Sequence, residues 1–397
     1  MIEWSDTDIM ARDAIRAFVD KEVRPKVDEL EHGELLPYTV IRKLFREFGM
    51  DKMAREGFER EISGERGGGS GSAMSSSMGM IMAAELSGVS MGVLTAMGVS
   101  LGLAASTIRA RGTVEQKKRW LLDLLTFDKV GAWAITEPDS GSDAFGGMKT
   151  RVRRDGDTYV LNGRKTFITN GPYADTVVVY AKLDDGSDVD PRDRPVLTFV
   201  LDSGMPGFTQ STPLRKMGIH SSPTGELSFD NVRLEPDRLL EGGQGDGKDS
   251  ARSSFAMERI GVAAMALGVI EECLRLCTAY AKERELWGQK IGSFQLIQLK
   301  LAKMEVARLN VQNLVFRTIE TFQAGKTPSL AEASAFKLYA SQAATEVAMD
   351  AVQLFGGNGY MSEYRVEQLA RDAKSLEIYA GSNEIQITHI AKEVLRR

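Results

Sequence analysis

The chain has 397 residues, of which 43% are hydrophobic and 26% are charged, and its formal net charge at pH 7 is −5. This length allows two or three structural units with a large buried core, and the mild acidity gives no support for nucleic-acid binding, which needs a basic face. Because no uninterrupted run of about eighteen apolar residues occurs, we also expect no membrane span.

The N-terminal third is predicted to be helical. Its first residues, Met1–Asp6, are acidic where a signal peptide would be basic and then apolar, so we expect a cytoplasmic protein. Apolar residues then recur with a period near 3.6 over Asp6–Val27 and Tyr38–Phe48, which is typical of amphipathic helices. The glycine-rich run Gly64–Ser72 is not followed by Gly-Lys-Ser/Thr, so a linker or lid is favoured over a phosphate-binding loop.

Residues 74–110 are rich in Met, Ala, Gly and Ser, and we expect a buried helix there. Met74, Met78 and Met82 recur every four residues and share one helical face, which suits core packing or the lining of an apolar pocket. Another helix is expected to begin after Thr113, because Thr113 and Gln116 have the spacing of a capping box.

From residue 131 to residue 240 the pattern changes to short runs rich in β-branched residues. Turns containing Asp-Gly, Asn-Gly or proline separate them, and their regular spacing predicts an antiparallel sheet or small barrel. The predicted strands lie at 159–161, 176–181, 196–201 and 226–229. The glycine-rich segment Gly242–Gly247 is expected to close this unit.

The remainder is again predicted to be helical, with long segments over Phe255–Glu283, Phe294–Ala324 and Leu330–Phe355. The prediction is therefore an α+β protein with an N-terminal helical domain (1–130), a central β domain (131–240) and a C-terminal domain resembling a four-helix bundle (241–397). Cys273 and Cys277 are interpreted as small core residues rather than a redox pair. The three histidines have no metal-ligand spacing, so no metal is expected.

Two strand ends carry the polar residues of a candidate binding site. Residues 132–143 read Ala-Trp-Ala-Ile-Thr-Glu-Pro-Asp-Ser-Gly-Ser-Asp, an apolar strand opening into a turn with small hydroxyl groups and free backbone N–H groups. Residues 165–171, Lys-Thr-Phe-Ile-Thr-Asn-Gly, form a second polar strand end. Glycine allows a flat or anionic ligand to approach the main chain closely. Either segment alone is equally typical of a strand that ends in a turn.

Further motifs follow in the C-terminal half, and together they identify a family. The motifs are Thr-Glu-Pro-x-x-Gly-Ser-Asp at 136–143, Phe-Ile-Thr-Asn-Gly at 167–171, Phe-Asp-Asn-Val at 229–232, Glu-Arg at 283–284, Gly-Gly-Asn-Gly at 356–359 and Arg-Asp-Ala-Lys at 371–374. In this order and at these spacings, over nearly the whole chain, the sequence resembles the acyl-CoA dehydrogenases, flavoprotein oxidoreductases that act on CH–CH bonds. The resemblance implies a homotetramer whose subunits each bind FAD.

The resemblance also implies roles for individual residues. Those expected at the flavin are Ala134, Ile135, Thr136, Gly141, Ser142, Phe167 and Thr169, with Ser142 also facing the pantetheine of the CoA ester. Those expected to reach the FAD of a neighbouring subunit are Arg284, Gln295, Gln353, Gly356 and Gly357. Ser382 and Glu384 would hold the cofactor near the catalytic loop. Phe167 stands where many members carry Trp. Leu286 stands where Thr is frequent, and the leucine cannot make the polar contact to FAD that the threonine would make.

The main departure from the family pattern is Ala380. Many members carry the catalytic base on this loop as Tyr-Glu-Gly-Thr, whereas residues 379–382 are Tyr-Ala-Gly-Ser here. A branch that includes isovaleryl-CoA and long-chain dehydrogenases carries the carboxylate on the first long C-terminal helix instead, and Glu258 occupies that place. An exposed charge paired with Arg259 is the ordinary alternative for Glu258, and Glu377 is the rival base.

The implied reaction is α,β-dehydrogenation of an acyl-CoA thioester to the trans-2-enoyl-CoA. Glu258 would remove the α-proton, flavin N5 would accept the β-hydride, and the backbone N–H of Ala380 would stabilise enolate charge. Arg259, Ala380 and Gly381 are expected near the substrate, and an electron-transferring flavoprotein is the expected acceptor. Such chemistry belongs to fatty-acid or branched-chain catabolism. The alternatives are an oxidase-like enzyme, a catalytically silent FAD- and acyl-CoA-binding protein, or a member acting on another carbon acid such as a nitroalkane.

Overall fold

The computed structural model describes residues 3–64, 76–240 and 247–396. Apart from Gly64, the predicted linker or lid lies outside these residues, and so does the segment that was expected to close the β unit, apart from Gly247. The N-terminal region is helical, as predicted, and includes short π-helical and 3-10 turns between the α-helices. The α-helices are α1 Asp6–Phe18, α2 Val27–His32, α3 Pro37–Glu47, α4 Met50–Ser63, α5 Ser76–Gly98, α6 Ser106–Arg111, α7 Val114–Gln116 and α8 Leu122–Leu125.

Local capping explains where two of these helices begin. Ser5 caps α1 in a capping box with Asp8, and the predicted capping box of Thr113 with Gln116 is confirmed at the start of α7. In each box the cap hydroxyl accepts from a backbone N–H that has no partner within the helix.

Helix α5 crosses the middle of the molecule and bends at Ser90, whose φ of −147° and ψ of 94° are not helical. The helical stretch Ser77–Arg111 includes a window that is long and apolar enough, by length and composition alone, to cross a membrane, although it is not an uninterrupted apolar run. Gly, Ser and Thr residues interrupt the apolar residues of this stretch. However, 72% of that window is buried inside the protein, as in the core helix of a globular domain.

Residues 131–240 form a curled sheet that contains all four predicted strands. The strands are β1 Gly131–Ala134, β2 Arg151–Asp155, β3 Thr158–Thr169, β4 Thr176–Leu183, β5 Val196–Asp202, β6 Phe208–Gln210 and β7 Thr224–Leu234. Most neighbours are antiparallel, as predicted, but β4 pairs with both β1 and β2 in parallel. These two parallel pairs were not predicted, because the alternation of apolar residues indicates a strand but does not identify its neighbour.

The C-terminal helices pack against the N-terminal ones. They are α9 Gly247–Glu283, α10 Gln295–Gln323, α11 Leu330–Phe355, α12 Val366–Ser375 and α13 Asn383–Val394, and a small hairpin of β8 Glu285–Leu286 and β9 Gln289–Lys290 follows α9. One hydrophobic cluster joins residues of α1, α3 and α5 to residues of α9, α10 and α11. Cys273 and Cys277 are free and buried in α9, which confirms that they are core residues.

Helices α5 and α9 cross at very short distance. A Cβ atom added at Gly268 of α9 would lie 2.0 Å from the carbonyl oxygen of Ala84 in α5. Glycine is therefore required at the crossing, and this close contact fixes α9 relative to the N-terminal helices.

Candidate active site

The two polar strand ends lie side by side. The backbone N–H of Thr166 donates to the carbonyl of Thr136 at 2.9 Å, which joins the segment Ala134–Thr136 to the segment Phe167–Thr169. Gly141 and Ser142 follow in an exposed turn, and a Cβ atom at Gly141 would meet nothing within 4 Å. The structure thus brings these predicted flavin-binding residues to one edge of the sheet.

An ion pair that the sequence analysis did not identify lies beneath this edge. The Lys165 ammonium, which has no solvent exposure, donates to Glu137 Oε1 at 2.8 Å and to the Ile135 carbonyl at 3.0 Å. Glu137 also accepts from the backbone N–H groups of Lys149 and Thr150 at 2.6 and 2.9 Å. Burial lowers the pKa of Lys165 to about 8, against the opposing effect of Glu137. The pair holds the turn between residues 136 and 150 against strand β3.

Phe167 provides an exposed aromatic surface at this edge. Its side chain is 69% exposed, and its φ of 57° lies in the left-handed region, where the register of β3 against β7 shifts between Lys165 and Ile168. A non-glycine residue in this region is uncommon and is frequently found at ligand sites. A fixed, exposed ring next to open backbone fits a planar ligand such as a flavin.

Helix α9 passes the same edge and carries Glu258. Phe255, one turn before Glu258, packs edge-on against Trp133 of β1, with 5.8 Å between the ring centroids. Glu258 is partly buried, and the loss of water raises its pKa to about 7, although Arg259 and Lys337 oppose the rise. Such a carboxyl group can both accept and release a proton near neutral pH. The alternative of an exposed surface charge therefore does not fit Glu258.

The loop between α12 and α13 faces this part of α9. Ala380 and Gly381 both have left-handed φ values, 56° and 80°. A Cβ atom on Gly381 would lie 3.5 Å from Nη2 of Arg259, so the residue after Glu258 touches the loop. Burial raises the pKa of the Tyr379 phenol, and the charge of Glu258 adds to this rise. The structure therefore brings Glu258, Arg259, Ala380 and Gly381 together.

Hydrogen bonds fix the loop and the side chains around it. Gln386 Nε2 donates to the carbonyls of Ala380 and Gly381 at 3.2 and 2.6 Å. Arg259 Nη1 lies 3.2 Å from Ser334 Oγ and 3.1 Å from His389 Nδ1. The rival base Glu377 forms an ion pair with Lys374 at 2.6 Å.

The start of α13 carries the other two residues predicted near the catalytic loop. Ser382 precedes the helix as its N-cap residue, and Glu384 lies in the first turn. Hydrogen bonds from its own backbone N–H and from the Ser382 side chain lower the pKa of Glu384, so it is ionised at neutral pH. Both residues lie within a few positions of Ala380 and Gly381.

The residues expected to reach a neighbouring subunit form a separate exposed group at one end of α9 and α11. The members of the group are Arg284, Gln295, Gln353, Gly356 and Gly357, all exposed. Tyr280 organises this end: its ring stacks on Phe355 at 4.0 Å, its hydroxyl accepts from Asn358 at 3.0 Å, and its carbonyl accepts from the Arg284 N–H. A Cβ atom at Gly356 or Gly357 would meet nothing within 4 Å, so the main chain there is open to a partner.

Asn170 anchors the sheet to the helices, a role that the sequence analysis also missed. Its side-chain nitrogen donates to the carbonyls of Ala96 and Gly131, both at 2.9 Å, and its oxygen accepts from the Tyr38 hydroxyl at 3.0 Å. Its conformation is left-handed, with φ 64°, which asparagine tolerates better than most residues. The only sequence signal was its place in the Asn-Gly turn.

Known protein families match almost the whole chain. Family models described as the N-terminal, middle and C-terminal domains of acyl-CoA dehydrogenase match residues 5–128, 132–232 and 245–395. An acyl-CoA dehydrogenase of Bacillus subtilis (strain 168) is 36% identical over 387 residues, covering 98% of this chain and 97% of the relative.

Two solved structures extend the similarity to the fold. Butyryl-CoA dehydrogenase from Megasphaera elsdenii superimposes with a TM-score of 0.87 at 34% identity, covering 100% of both chains. A glutaryl-CoA dehydrogenase from Mycobacterium smegmatis in complex with FADH2 has a TM-score of 0.85 at 29% identity, covering 99% of this chain and 96% of that one.

Proposed function

Since the chain belongs to the acyl-CoA dehydrogenase family, we propose that it oxidises an acyl-CoA thioester to the trans-2-enoyl-CoA with Glu258 as the general base. The enzyme is a flavoprotein oxidoreductase, because its family is FAD-dependent. One observation supports the assignment of the base: the loop residue that is acidic in many members is Ala380 here, while Glu258 directly precedes Arg259, which lies beside the same loop, and burial raises the pKa of Glu258 to about 7.

The base must take the α-proton without holding it too tightly afterwards. A pKa near the working pH gives the best compromise between the ionised fraction and the driving force for proton transfer. Burial supplies this property to Glu258, because desolvation favours the neutral form of a carboxyl group. Glu377 is paired with Lys374 instead, which holds its carboxylate in an ion pair beside α12.

The loop at Ala380 would stabilise the negative charge that develops on the thioester oxygen. A backbone N–H does not depend on the side chain, so replacing an acidic residue by alanine keeps this donor. Gln386 donates hydrogen bonds to the carbonyls of Ala380 and Gly381. These bonds restrain the loop backbone and so support a fixed orientation of the Ala380 N–H. Arg259 and Gly381 would adjoin the reacting part of the substrate.

The strand-end residues would hold FAD, with Phe167 against the ring and Thr136, Gly141 and Ser142 at the exposed turn. When bound, FAD supplies the two-electron oxidant that the removal of the β-hydrogen requires. The exposed group at Arg284 and Gln295 would contact the cofactor of a neighbouring copy in a homotetramer. The guanidinium of Arg284 suits the FAD diphosphate, since its fixed fork of N–H donors matches phosphate oxygens. An electron-transferring flavoprotein is the proposed acceptor.

Anaerobic titration with acyl-CoA thioesters tests this proposal. We expect the purified yellow protein to lose its flavin absorbance with at least one of butyryl-, isovaleryl-, cyclohexanecarbonyl- and palmitoyl-CoA, and to release the matching enoyl-CoA. The pattern across these four compounds also identifies the acyl group that the pocket accepts. Flavin that no thioester bleaches would contradict the proposal and favour a silent binding protein. Rapid reoxidation in air with formation of peroxide would favour an oxidase.

A further inference from the structure

A buried lysine lies beneath the Ala380 loop. Lys337 of α11 has no solvent exposure, and its ammonium group donates to Asn383 Oδ1 at 2.8 Å. Ser341, one turn further along α11, donates to the same oxygen at 3.1 Å. Lysine is almost never fully buried unless it is paired, because removing its charge from water is costly. The position therefore requires an explanation beyond core packing.

Asn383 connects this lysine to both ends of the loop. It is the first residue of α13, directly after Ser382, and its backbone N–H donates to the carbonyl of Glu377 at 3.0 Å. The segment from residue 378 to residue 382 is thus closed at its base, with the left-handed residues Ala380 and Gly381 at its tip. The hydrogen bond from Lys337 therefore holds the side chain of the residue whose backbone closes the loop.

The charge of Lys337 interacts with that of Glu258, the proposed base. Arg259 Nη1 lies 3.2 Å from Ser334 Oγ, one turn before Lys337 on α11, so this part of α9 packs beside Lys337. The charged groups whose fields act on the Lys337 ammonium are Glu258 and Arg259 of α9, Glu377 after α12 and Glu384 of α13. Burial lowers the pKa of Lys337 to about 8, and the three carboxylates oppose this effect. In return, Lys337 and Arg259 limit the rise in the pKa of Glu258. His389, which faces Arg259, has a lowered pKa and is neutral at pH 7.

We propose that Lys337 is a positioning residue for the dehydrogenation: it fixes the Ala380 loop through Asn383, and its buried charge keeps Glu258 ionised in the neutral pH range. The inference rests on the proposed function, because it assumes that Glu258 removes the substrate proton. A lysine that only fills the core would support folding and leave the ionisation of Glu258 unchanged. The two roles therefore differ in the pH dependence of flavin reduction.

The test measures the rate of anaerobic flavin reduction against pH, with a saturating acyl-CoA that bleaches the parent enzyme. Lys337→Gln keeps a hydrogen-bond donor but removes the charge, so the acidic limb of the profile should shift upward by about one pH unit, the low end of the effect of a nearby opposite charge. Starting from a pKa of about 7, this shift corresponds to a loss of about tenfold at pH 6 and almost no loss at pH 9. Lys392→Gln removes an exposed cation from α13 and should leave the profile unchanged.

A second variant covers the case in which Lys337→Gln does not fold or loses FAD. Asn383→Asp is nearly isosteric and places a carboxylate against Lys337. The new carboxylate offsets the positive charge of Lys337, so the acidic limb of the pH profile should also shift upward. An equal loss of rate at every pH, or an unshifted limb in both variants, would overturn the proposal. The function itself is judged separately, on whether the parent enzyme is reduced and whether Glu258→Gln abolishes the pH-dependent rate.

Discussion

The ion pair beneath the strand edge leads to a specific prediction about stability. Lys165→Met removes an ammonium group with no solvent exposure and leaves Glu137, which is 4% exposed, with a buried charge. Removing one partner of a buried pair costs about 3–5 kcal/mol. Glu137 keeps the backbone donors of Lys149 and Thr150, so we expect the lower end of this range, about 3 kcal/mol.

Urea unfolding followed by circular dichroism measures the loss of stability, and the amount of FAD retained after gel filtration measures the effect on cofactor binding. FAD retention should fall as well, because Glu137 holds the turn that leads to Gly141 and Ser142. Lys149→Met is the matched control: this lysine pairs with Asp139, and both side chains are about 70% exposed. Exposed ion pairs contribute little to stability, so its unfolding curve should stay close to that of the parent. Adding Glu137→Gln to Lys165→Met should restore part of the stability. Equal unfolding curves for the two lysine variants would refute the reasoning.

Three further predictions concern the base, the subunit contact and the loop. The pKa of Glu258 is raised from 4.5 to about 7, so the folded protein binds this proton more tightly than the unfolded chain, and the contribution of Glu258 to stability falls as pH rises through that range. Glu258→Gln should therefore raise the thermal midpoint of unfolding at pH 8 but not at pH 4. Equal shifts of the midpoint at both pH values would argue against a raised pKa. Arg284→Ala should weaken FAD retention on dilution, whereas Arg233→Ala, which removes another exposed arginine, should not; equal retention by the Arg284 variant would remove that residue from the cofactor site. Ala380→Glu combined with Glu258→Gly moves the carboxylate to the loop and should recover part of the flavin reduction that Glu258→Gly alone loses, as stopped-flow absorbance would show; no recovery would mean that the loop does not reach the substrate.

Much of the fold could be predicted because short-range signals determine it. The capping box at Thr113 and Gln116 and the bounds Leu330–Phe355 of α11 are confirmed, since caps and apolar periodicity are local properties. The bend of α5 at Ser90 and the parallel pairing of β4 depend on long-range packing. No local pattern in the sequence specifies them.

Lys165 and Lys337, two lysines without solvent exposure, show where prediction of the site reached its limit. A lysine in a sequence is expected to be exposed, so neither the burial of Lys165 at its polar strand end nor that of Lys337 was predicted. Their roles depend on Glu137 and Asn383, which are 28 and 46 residues away in the chain. For Lys337 a signal was present, because it lies on the same helical face as Ala340 and Ala344, both buried. The exposure of Phe167 likewise follows from a bulge in β3 that the alternation of residues does not reveal.

The rate of anaerobic flavin reduction in Glu258→Gln tests the central claim most directly. With an acyl-CoA that bleaches the parent, this variant should retain FAD and bind the thioester, but its flavin should be reduced about 10² to 10⁴ times more slowly, the usual contribution of a positioned general base. Glu377→Gln, measured in the same way, should stay within a few-fold of the parent. A Glu258→Gln variant whose flavin is reduced as fast as that of the parent would contradict the account. A loss of flavin reduction in Glu377→Gln alone would identify Glu377 as the base instead.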